Sequence, residues 1–280
     1  MDNADDAVVT RKDVQFADHE GTKLLGDFYL PKGAEKAPVL IAMHGGGWQH
    51  RSRPTYRYWG PYFAKHGIAV FEITYRTAKA GIYPRAVYDA KSAIQFVRAH
   101  AEEYSIDPER IGLMGDSAGG HLAALLSLAA DQYTDDAGEP HRNISTEVKV
   151  SICFYGIYDM LSQWDNDQLV RPTDNITEKF LGVSPLTDRK IYFESSPISY
   201  ATIGRTKTRF LLIHGSEDAI VDPAQTKKFW LALNQARLYS RHLVVPGAGH
   251  FWNSEPFEDK PHSVAAGVAP RILEFLDRNF

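Results

Sequence analysis

The chain has 280 residues, 44% of them hydrophobic and 24% charged, with a formal net charge of −4. That is the balance of a globular protein with one large α/β domain or two small ones, and it speaks against a nucleic-acid or anionic-membrane partner. No apolar run approaches the roughly 20 residues of a membrane-spanning helix, and the acidic start MDNADDAVVTRKDVQF lacks a signal-peptide core, so the expected location is cytoplasmic.

The stretch VQFADHEGTKLLGDFYLP reads as two strands joined near Gly21 in an antiparallel hairpin. APVLIAMHGGGW gives a buried strand over 39–43 that runs into glycines. YRYWGPYFAKHG is helical and stops at Gly67, and IAVFEITYR is a strand rich in β-branched and aromatic residues. After Pro84, apolar Val87, Ala90, Ile94 and Val97 recur at helical spacing. RIGLM is a strand and HLAALLSLAA a buried helix; VKVSICFYG and TRFLLIHG are further strands. PAQTKKFWLALNQA is a helix opened by Pro223, HLVVPG the last strand, and SVAAGVAPRILEFLDRNF the closing helix, with an interruption expected at Pro270. The single cysteine, Cys153, lies in an apolar strand and reads as a buried small residue.

Strands alternating with helices from residue 39 onward predict an α/β fold. Its central sheet is mostly parallel, led by an antiparallel hairpin and covered by helices on both faces. Without repeats or linkers, residues 1–280 read as one domain. The stretch at about 160–205, carrying Trp164, Pro172, Phe180, Pro185, Tyr192, Phe193 and Pro197, departs from the alternation. It reads either as a lid-like excursion above the sheet or as a plain helix–loop–helix connection.

In RIGLMGDSAGGHLAALLSLAA, a strand, Gly-x-Ser-x-Gly and a helix succeed one another as in a nucleophile elbow. A turn that sharp holds Ser117 in strained backbone angles with its hydroxyl above the sheet edge. Gly115 and Gly119 are needed where strand and helix pass closely. Ala118 contributes a backbone N–H at the helix start, where the dipole favours negative charge. A serine hydroxyl needs a base. In this arrangement the acid and the histidine follow the serine, each just past a late strand. HLVVPGAGHFW offers His250 as that base, and RFLLIHGSEDAIVD offers Asp218 as the acid. Asp222, before Pro223, is the competing acid but reads as a helix cap; Glu217 points away. Of the remaining histidines, His214 reads as structural, and His242 sits at the wrong sheet edge. His121 lies in the helix after the elbow; His100 and His262 have ordinary helix contexts.

The loop HGGGW can turn bare N–H groups toward Ser117 and, with Ala118, hold an oxyanion. A phosphate loop is disfavoured because no Lys-Ser/Thr follows. His44 reads as a strut for this loop, and Trp48 either lines the acyl pocket or packs beneath the loop. Trp164, Tyr158, Trp252 and Phe251, near predicted loop ends, leave room for aromatic acyl groups. There is no His-Glu-x-x-His and no cysteine cluster, so no metal is expected.

HGGGW, Tyr75-Arg76, YPRAVYDA, GDSAGGHLA, HGSEDAIVD and GAGH follow in order, and this series resembles the bacterial α/β-hydrolase esterases related to hormone-sensitive lipase. The closer likeness is to the branch of bifunctional feruloyl and acetylxylan esterases. The resemblance implies the α/β-hydrolase fold, a serine triad of Ser117, Asp218 and His250, and an oxyanion hole from Gly46, Gly47 and Ala118. It departs from the family in QHRSR after HGGGW, which brings Arg51 and Arg53 beside the pocket, and in Asp222 preceding Pro223. The expected function is a serine carboxylic ester hydrolase for small, acetyl-like or aromatic acyl esters, without cofactor. Trp48, Trp164 and Phe251 are its candidate substrate-binding residues. An arylformamidase-type amide hydrolase and a non-catalytic hydrolase-like binding protein are the alternatives. The expected partner is a small-molecule ester, with neither nucleic acid nor membrane; a homo-oligomer stays open.

Overall fold

The computed structural model describes residues 7–50, 53–134 and 140–280. Strands β1 (Val8–His19) and β2 (Thr22–Pro31) pair antiparallel, with His19 opposite Thr22. Glu20 at φ 53° and Gly21 at φ 78° give the pair of left-handed residues that a two-residue hairpin turn of matching twist requires. Six more strands follow: β3 (Ala37–Met43), β4 (Ala69–Ile73), β5 (Ile106–Asp116), β6 (Val150–Phe154), β7 (Arg209–Gly215) and β8 (Ser240–Val245). The sheet order is β1-β2-β4-β3-β5-β6-β7-β8. Only the β1–β2 and β2–β4 pairs are antiparallel; the pairs from β4 to β8 are parallel. This is the α/β-hydrolase arrangement, and the leading hairpin lies where the sequence puts it.

Because strand side chains alternate between faces, the sheet sorts its apolar residues into two cores. Leu40, Ala42, Val70, Met114, Ile152, Phe154 and Ile213 pack with Trp59 and Phe63 of α1 (Trp59–Lys65) and Ile272 and Phe275 of α8 (Val264–Asn279). Val39, Ile41, Met43, Phe71, Leu113, Cys153 and Leu212 face the other way. They meet α2 (Arg85–Ala99), α3 (Ala118–Ala129) and α7 (Ala224–Gln235). Cys153 is fully enclosed, and burial pushes its thiol up to about 12.

Between β6 and β7 the chain departs from the strand–helix alternation, over the stretch where the sequence does so. This excursion contains three short helices, α4 (Met160–Val170), α5 (Ile176–Leu181) and α6 (Arg189–Glu194). Each is opened by a side chain that accepts from the first turn, Asp159, Asn175 and Asp188 respectively. The expected interruption at Pro270 is absent, since α8 runs through it. Pro270 lies on the exposed side, while Val268, Ala269, Ile272 and Leu276 stay buried on the opposite stripe, so the ring does not disturb the face that packs. Among the described residues, no helix is long and apolar enough to cross a membrane. All strands from β3 onward run one way, so the segments after β3, β5, β7 and β8 emerge at a single edge of the sheet.

Candidate active site

Ser117 sits between the end of β5 and the start of α3 with φ 52° and ψ −115°, a conformation a non-glycine residue adopts only under constraint. The constraint is visible on both sides. A Cβ on Gly115 would lie 2.2 Å from the Gly119 carbonyl oxygen, and one on Gly119 would lie 2.0 Å from that of Met43. Neither glycine admits a larger residue without moving backbone. The Ser117 N–H donates to the Phe154 carbonyl at 2.9 Å, tying the elbow to the end of β6. Among the described residues, the Ser117 hydroxyl makes no hydrogen bond.

His250 and Asp218 meet. The Nδ1 of His250 donates to Oδ2 of Asp218 at 2.6 Å, while His250 Nε2 is enclosed and has no hydrogen-bond partner. An imidazole held this way presents a lone pair on Nε2, the atom a serine proton requires. The backbone N–H groups of Ile220 and Val221 donate to Asp218 Oδ1 at 2.9 and 3.0 Å. Burial alone would raise the Asp218 carboxyl, but hydrogen bonds from His214 and His250, the charge of His250 and the Val221 N–H outweigh it. The group is held well below the usual carboxylate range. Asp222 is elsewhere: its Oδ1 accepts from the Ala224 N–H at 2.8 Å at the start of α7, the capping role read from Pro223.

The HGGGW loop lies against the elbow. A Cβ on Gly45 would fall 2.4 Å from Asp116 Oδ2 and 3.2 Å from the Ser117 Cβ. Gly46 and Gly47 adopt φ 101° and 58°, and their N–H groups have no acceptor among the described residues. Ala118 opens α3, where the first N–H groups of a helix lack intrahelical partners. The strut reading of His44 has a geometric counterpart: its Nδ1 donates to the Gly45 carbonyl at 2.7 Å, and its ring stacks on Tyr75 at 4.4 Å.

Of the three candidate substrate-binding residues, Trp48 is fully buried and offers no surface to a ligand. It packs beneath the loop, stacked on Phe180 at 4.4 Å, and its Nε1 donates to His121 Nδ1 at 3.3 Å. The acyl-pocket role is corrected here: packing against Phe180 and His121 encloses the indole and leaves no face for an acyl group. Trp164 is half-buried in the excursion and donates to Glu178 Oε1 at 2.7 Å. Phe251 is exposed and meets the His250 ring edge-on at 4.4 Å. Arg51 lies outside the described residues, as does the side chain of Arg53.

Four groups carry the geometry without having been singled out in the sequence. Asp116, beside the serine, accepts from the Gly45 N–H and the Tyr56 hydroxyl, both at 3.0 Å. Burial pushes its carboxyl up to about 7, which the hydrogen bonds from Tyr56 and Gly45 only partly offset. The Tyr155 ring lies over His250 at 4.2 Å, and its hydroxyl donates to Asn253. Burial, reinforced by the charges of Asp116 and Asp218, pushes that hydroxyl well above the ordinary tyrosine range. His121 Nε2 donates to the Ser195 carbonyl at 2.8 Å, and burial lowers the imidazole to about 4. His214 reaches Asp218 Oδ2 at 3.1 Å. Only Asp116 carried a signal, its place next to the serine; the others depend on partners distant in the chain. Among the described residues, no group of three or more His, Cys, Asp or Glu side chains is placed to hold a metal ion.

The chain is 34% identical over 76% of its length to the esterase LipC of Mycobacterium tuberculosis, of which the match covers 53%. It spans about half the length of the curated relatives it matches first. Among solved structures it is similar to an esterase of Thermogutta terrifontis with propionate bound, at a TM-score of 0.78, 25% identity, and 97% and 94% of the two chains covered. It is also similar to a bifunctional GH43-CE protein of Bacteroides eggerthii, at a TM-score of 0.79, 27% identity, and 96% and 38% covered. Residues 26–233, well over half of the chain, match the family model BD-FAE. With the sheet order and the elbow already described, this match makes the chain a member of the BD-FAE family.

Proposed function

We propose that the protein is a serine carboxylic ester hydrolase with Ser117 as nucleophile, His250 as general base and acid, and Asp218 as the group that orients His250. The observation that carries this reading is the 2.6 Å contact from Asp218 to His250 Nδ1, which leaves the opposite ring nitrogen enclosed and without a partner, in a fold whose elbow holds a strained serine. The Ser117 hydroxyl attacks the ester carbonyl as Nε2 of His250 takes its proton. The carbonyl oxygen becomes an oxyanion, held by the N–H groups of Gly46, Gly47 and Ala118. The imidazolium then gives the proton to the departing alcohol oxygen. Water, deprotonated by the same nitrogen, hydrolyses the acyl-enzyme and returns Ser117. Asp218 keeps the Nδ1–H tautomer in place and stabilises the imidazolium without taking the proton.

Short acyl groups are the proposed substrates, with aromatic acyl groups second. The propionate bound to the similar Thermogutta esterase supports the first. The exposed Phe251 beside His250 supports the second. The excursion serves as pocket wall: Ile176 of α5 lies where a Cβ on Gly47 would meet it at 3.2 Å. The whole chain is proposed to work as one domain.

The test is burst-phase release of p-nitrophenol from esters of rising chain length, with methyl ferulate and acetylated xylan alongside. Ser117→Ala and His250→Ala should abolish turnover with unfolding curves unchanged, and Asp218→Asn should lower it by up to about 10⁴. A folded Ser117→Ala protein that still hydrolyses p-nitrophenyl acetate at the wild-type rate would refute the reading. An Asp222→Asn protein more impaired than Asp218→Asn would move the acid.

A further inference from the structure

The acid carries more donors than an orienting carboxylate needs. Oδ1 of Asp218 accepts from two backbone N–H groups, and Oδ2 accepts from two imidazoles, His250 at 2.6 Å and His214 at 3.1 Å. His214, at the end of β7, is almost fully enclosed. Its Nε2 also lies 3.0 Å from the Val221 carbonyl. A carboxylate and a carbonyl only accept, so His214 Nε2 must carry the hydrogen and share it between them. The other nitrogen, Nδ1, is 2.5 Å from the hydroxyl of Thr226, a fully buried residue of α7. With Nδ1 thereby free to accept, the Thr226 O–H donates to it and locks the tautomer. An inverted ring would aim a lone pair at the carboxylate, an electrostatic clash in an enclosed site.

We propose that His214, with its tautomer set by Thr226, is a positioning residue that fixes Oδ2 of Asp218 at the angle His250 needs. The proposal rests on the Ser117–His250–Asp218 reading. Asp218 has a carboxylate torsion that the two backbone bonds to Oδ1 do not fix alone; the bond from His214 to Oδ2 removes that freedom. Hydrogen bonds to charged groups are the stronger kind, and here one end of the bond is the atom that orients the base.

The test compares His214→Leu, His214→Gln and Thr226→Val with wild type. Two readouts are followed: kcat and KM on p-nitrophenyl acetate, and the far-downfield proton resonance of the His250 Nδ1–H, assigned by its loss in Asp218→Asn. Glutamine places an amide N–H near the position of the imidazole Nε2–H; leucine places none. His214→Leu should lower kcat roughly tenfold to a hundredfold with KM within about twofold, and should shift the downfield proton. His214→Gln should recover most of both. Thr226→Val, close in volume, should lower kcat by about threefold to tenfold with a smaller shift of the same proton, and it decides the matter if His214→Leu does not fold. Wild-type kcat and an unmoved proton in a folded His214→Leu protein, or in Thr226→Val when leucine does not fold, would overturn the proposal. So would a His214→Gln protein as impaired as His214→Leu, because the side chain would then act by packing alone. Should Ser117→Ala keep its activity, the triad reading fails by itself, and the downfield proton in the His214 variants still decides whether His214 orders the acid.

Discussion

Asp116 → Asn is the perturbation for which the structure gives a magnitude. The Asp116 side chain is buried at the meeting of the elbow and the HGGGW loop, and burial raises its carboxyl from the ordinary 3.8 to about 7. A raised carboxyl means the fold prefers the neutral form. Below pH 3.8 both the folded and the unfolded chain hold this proton, and the contribution of Asp116 to stability is fully present. As pH rises toward 7 the unfolded chain releases the proton while the fold keeps it, and stability falls. Above about 7 both have lost it, and the loss levels off. Three pH intervals at about 1.4 kcal/mol each put the loss at roughly 4 kcal/mol, a large part of the 5–15 kcal/mol typical of a domain. Asparagine cannot ionise but keeps an oxygen for the Gly45 N–H and the Tyr56 hydroxyl. Urea unfolding of both proteins at intervals from pH 4 to pH 8 isolates the effect, because every other titrating group cancels in the difference. The advantage of Asp116→Asn over wild type should grow by about 1.4 kcal/mol per pH step up to about 7 and then stay flat. A difference that is flat over the whole range, or that slopes the other way, would refute the assignment of a high-titrating carboxyl to Asp116.

Gly119→Ala should fold poorly or lose more than about 3 kcal/mol in urea unfolding, because its Cβ would lie 2.0 Å from the backbone oxygen of Met43. Gly267→Ala is the control: it sits exposed inside α8 with nothing within 4 Å of its Cβ, and should gain up to about 1 kcal/mol. Arg76→Leu leaves Asp89 buried without the guanidinium that reaches it at 2.8 Å, and should cost about 3–5 kcal/mol by the same assay, with catalysis at saturating substrate little changed in the fraction that folds. His121→Phe keeps a ring under Trp48 but removes the bonds to the indole and to Ser195. It should lower kcat on p-nitrophenyl acetate by roughly tenfold, with the Trp fluorescence spectrum shifted; an unaltered kcat would show that the oxyanion loop does not need this brace.

The elements that were legible in the sequence are those whose signal is local. The hairpin turn needs two left-handed residues in a row and has Glu20-Gly21. The elbow needs glycine on either side of the serine and has Gly115 and Gly119. Asp218 and His250, the proposed acid and base, could be paired from strand ends because a parallel sheet brings those ends to one edge, and the two side chains do meet. Trp48 divided two readings, and sequence could not choose between them: what turns it inward is Phe180, which comes from an excursion whose packing depends on the whole fold. Pro270 was over-read because a proline inside a helix is tolerated when its face is exposed, and exposure is a tertiary property. The helices of the excursion were not read from the sequence: α5 and α6 have only 6 residues each, too few turns to establish a periodicity, and their capping residues Asn175 and Asp188, like Asp159 before α4, stand out only once the helices are seen. His121 and His214 were set aside for a different reason. The partners that give them work, Ser195, Thr226 and Asp218, are named by contact and by nothing in the neighbouring residues.

Backbone strain ties these pieces together. Trp48, Ser117, Tyr155 and Phe251 are non-glycine residues at positive φ, of 57°, 52°, 38° and 66°, and they belong to the HGGGW loop, the elbow, the end of β6 and the segment that carries His250. Each such residue costs on the order of 1–3 kcal/mol and persists only where its surroundings hold it. Here the holders are identifiable. Phe180 and His121 pin Trp48, and the Phe154 carbonyl pins Ser117. The bond from the Tyr155 N–H to the Ile213 carbonyl, at 2.7 Å, pins Tyr155, and the bond from the Ser254 N–H to the Phe251 carbonyl, at 3.2 Å, closes the turn at Phe251. On the proposed reading of Ser117 as a nucleophile, such holding has a use. Under that reading attack on a carbonyl gains much, since the proposed nucleophile, base and oxyanion donors would already stand where the transition state forms, and little binding energy would have to go into arranging them.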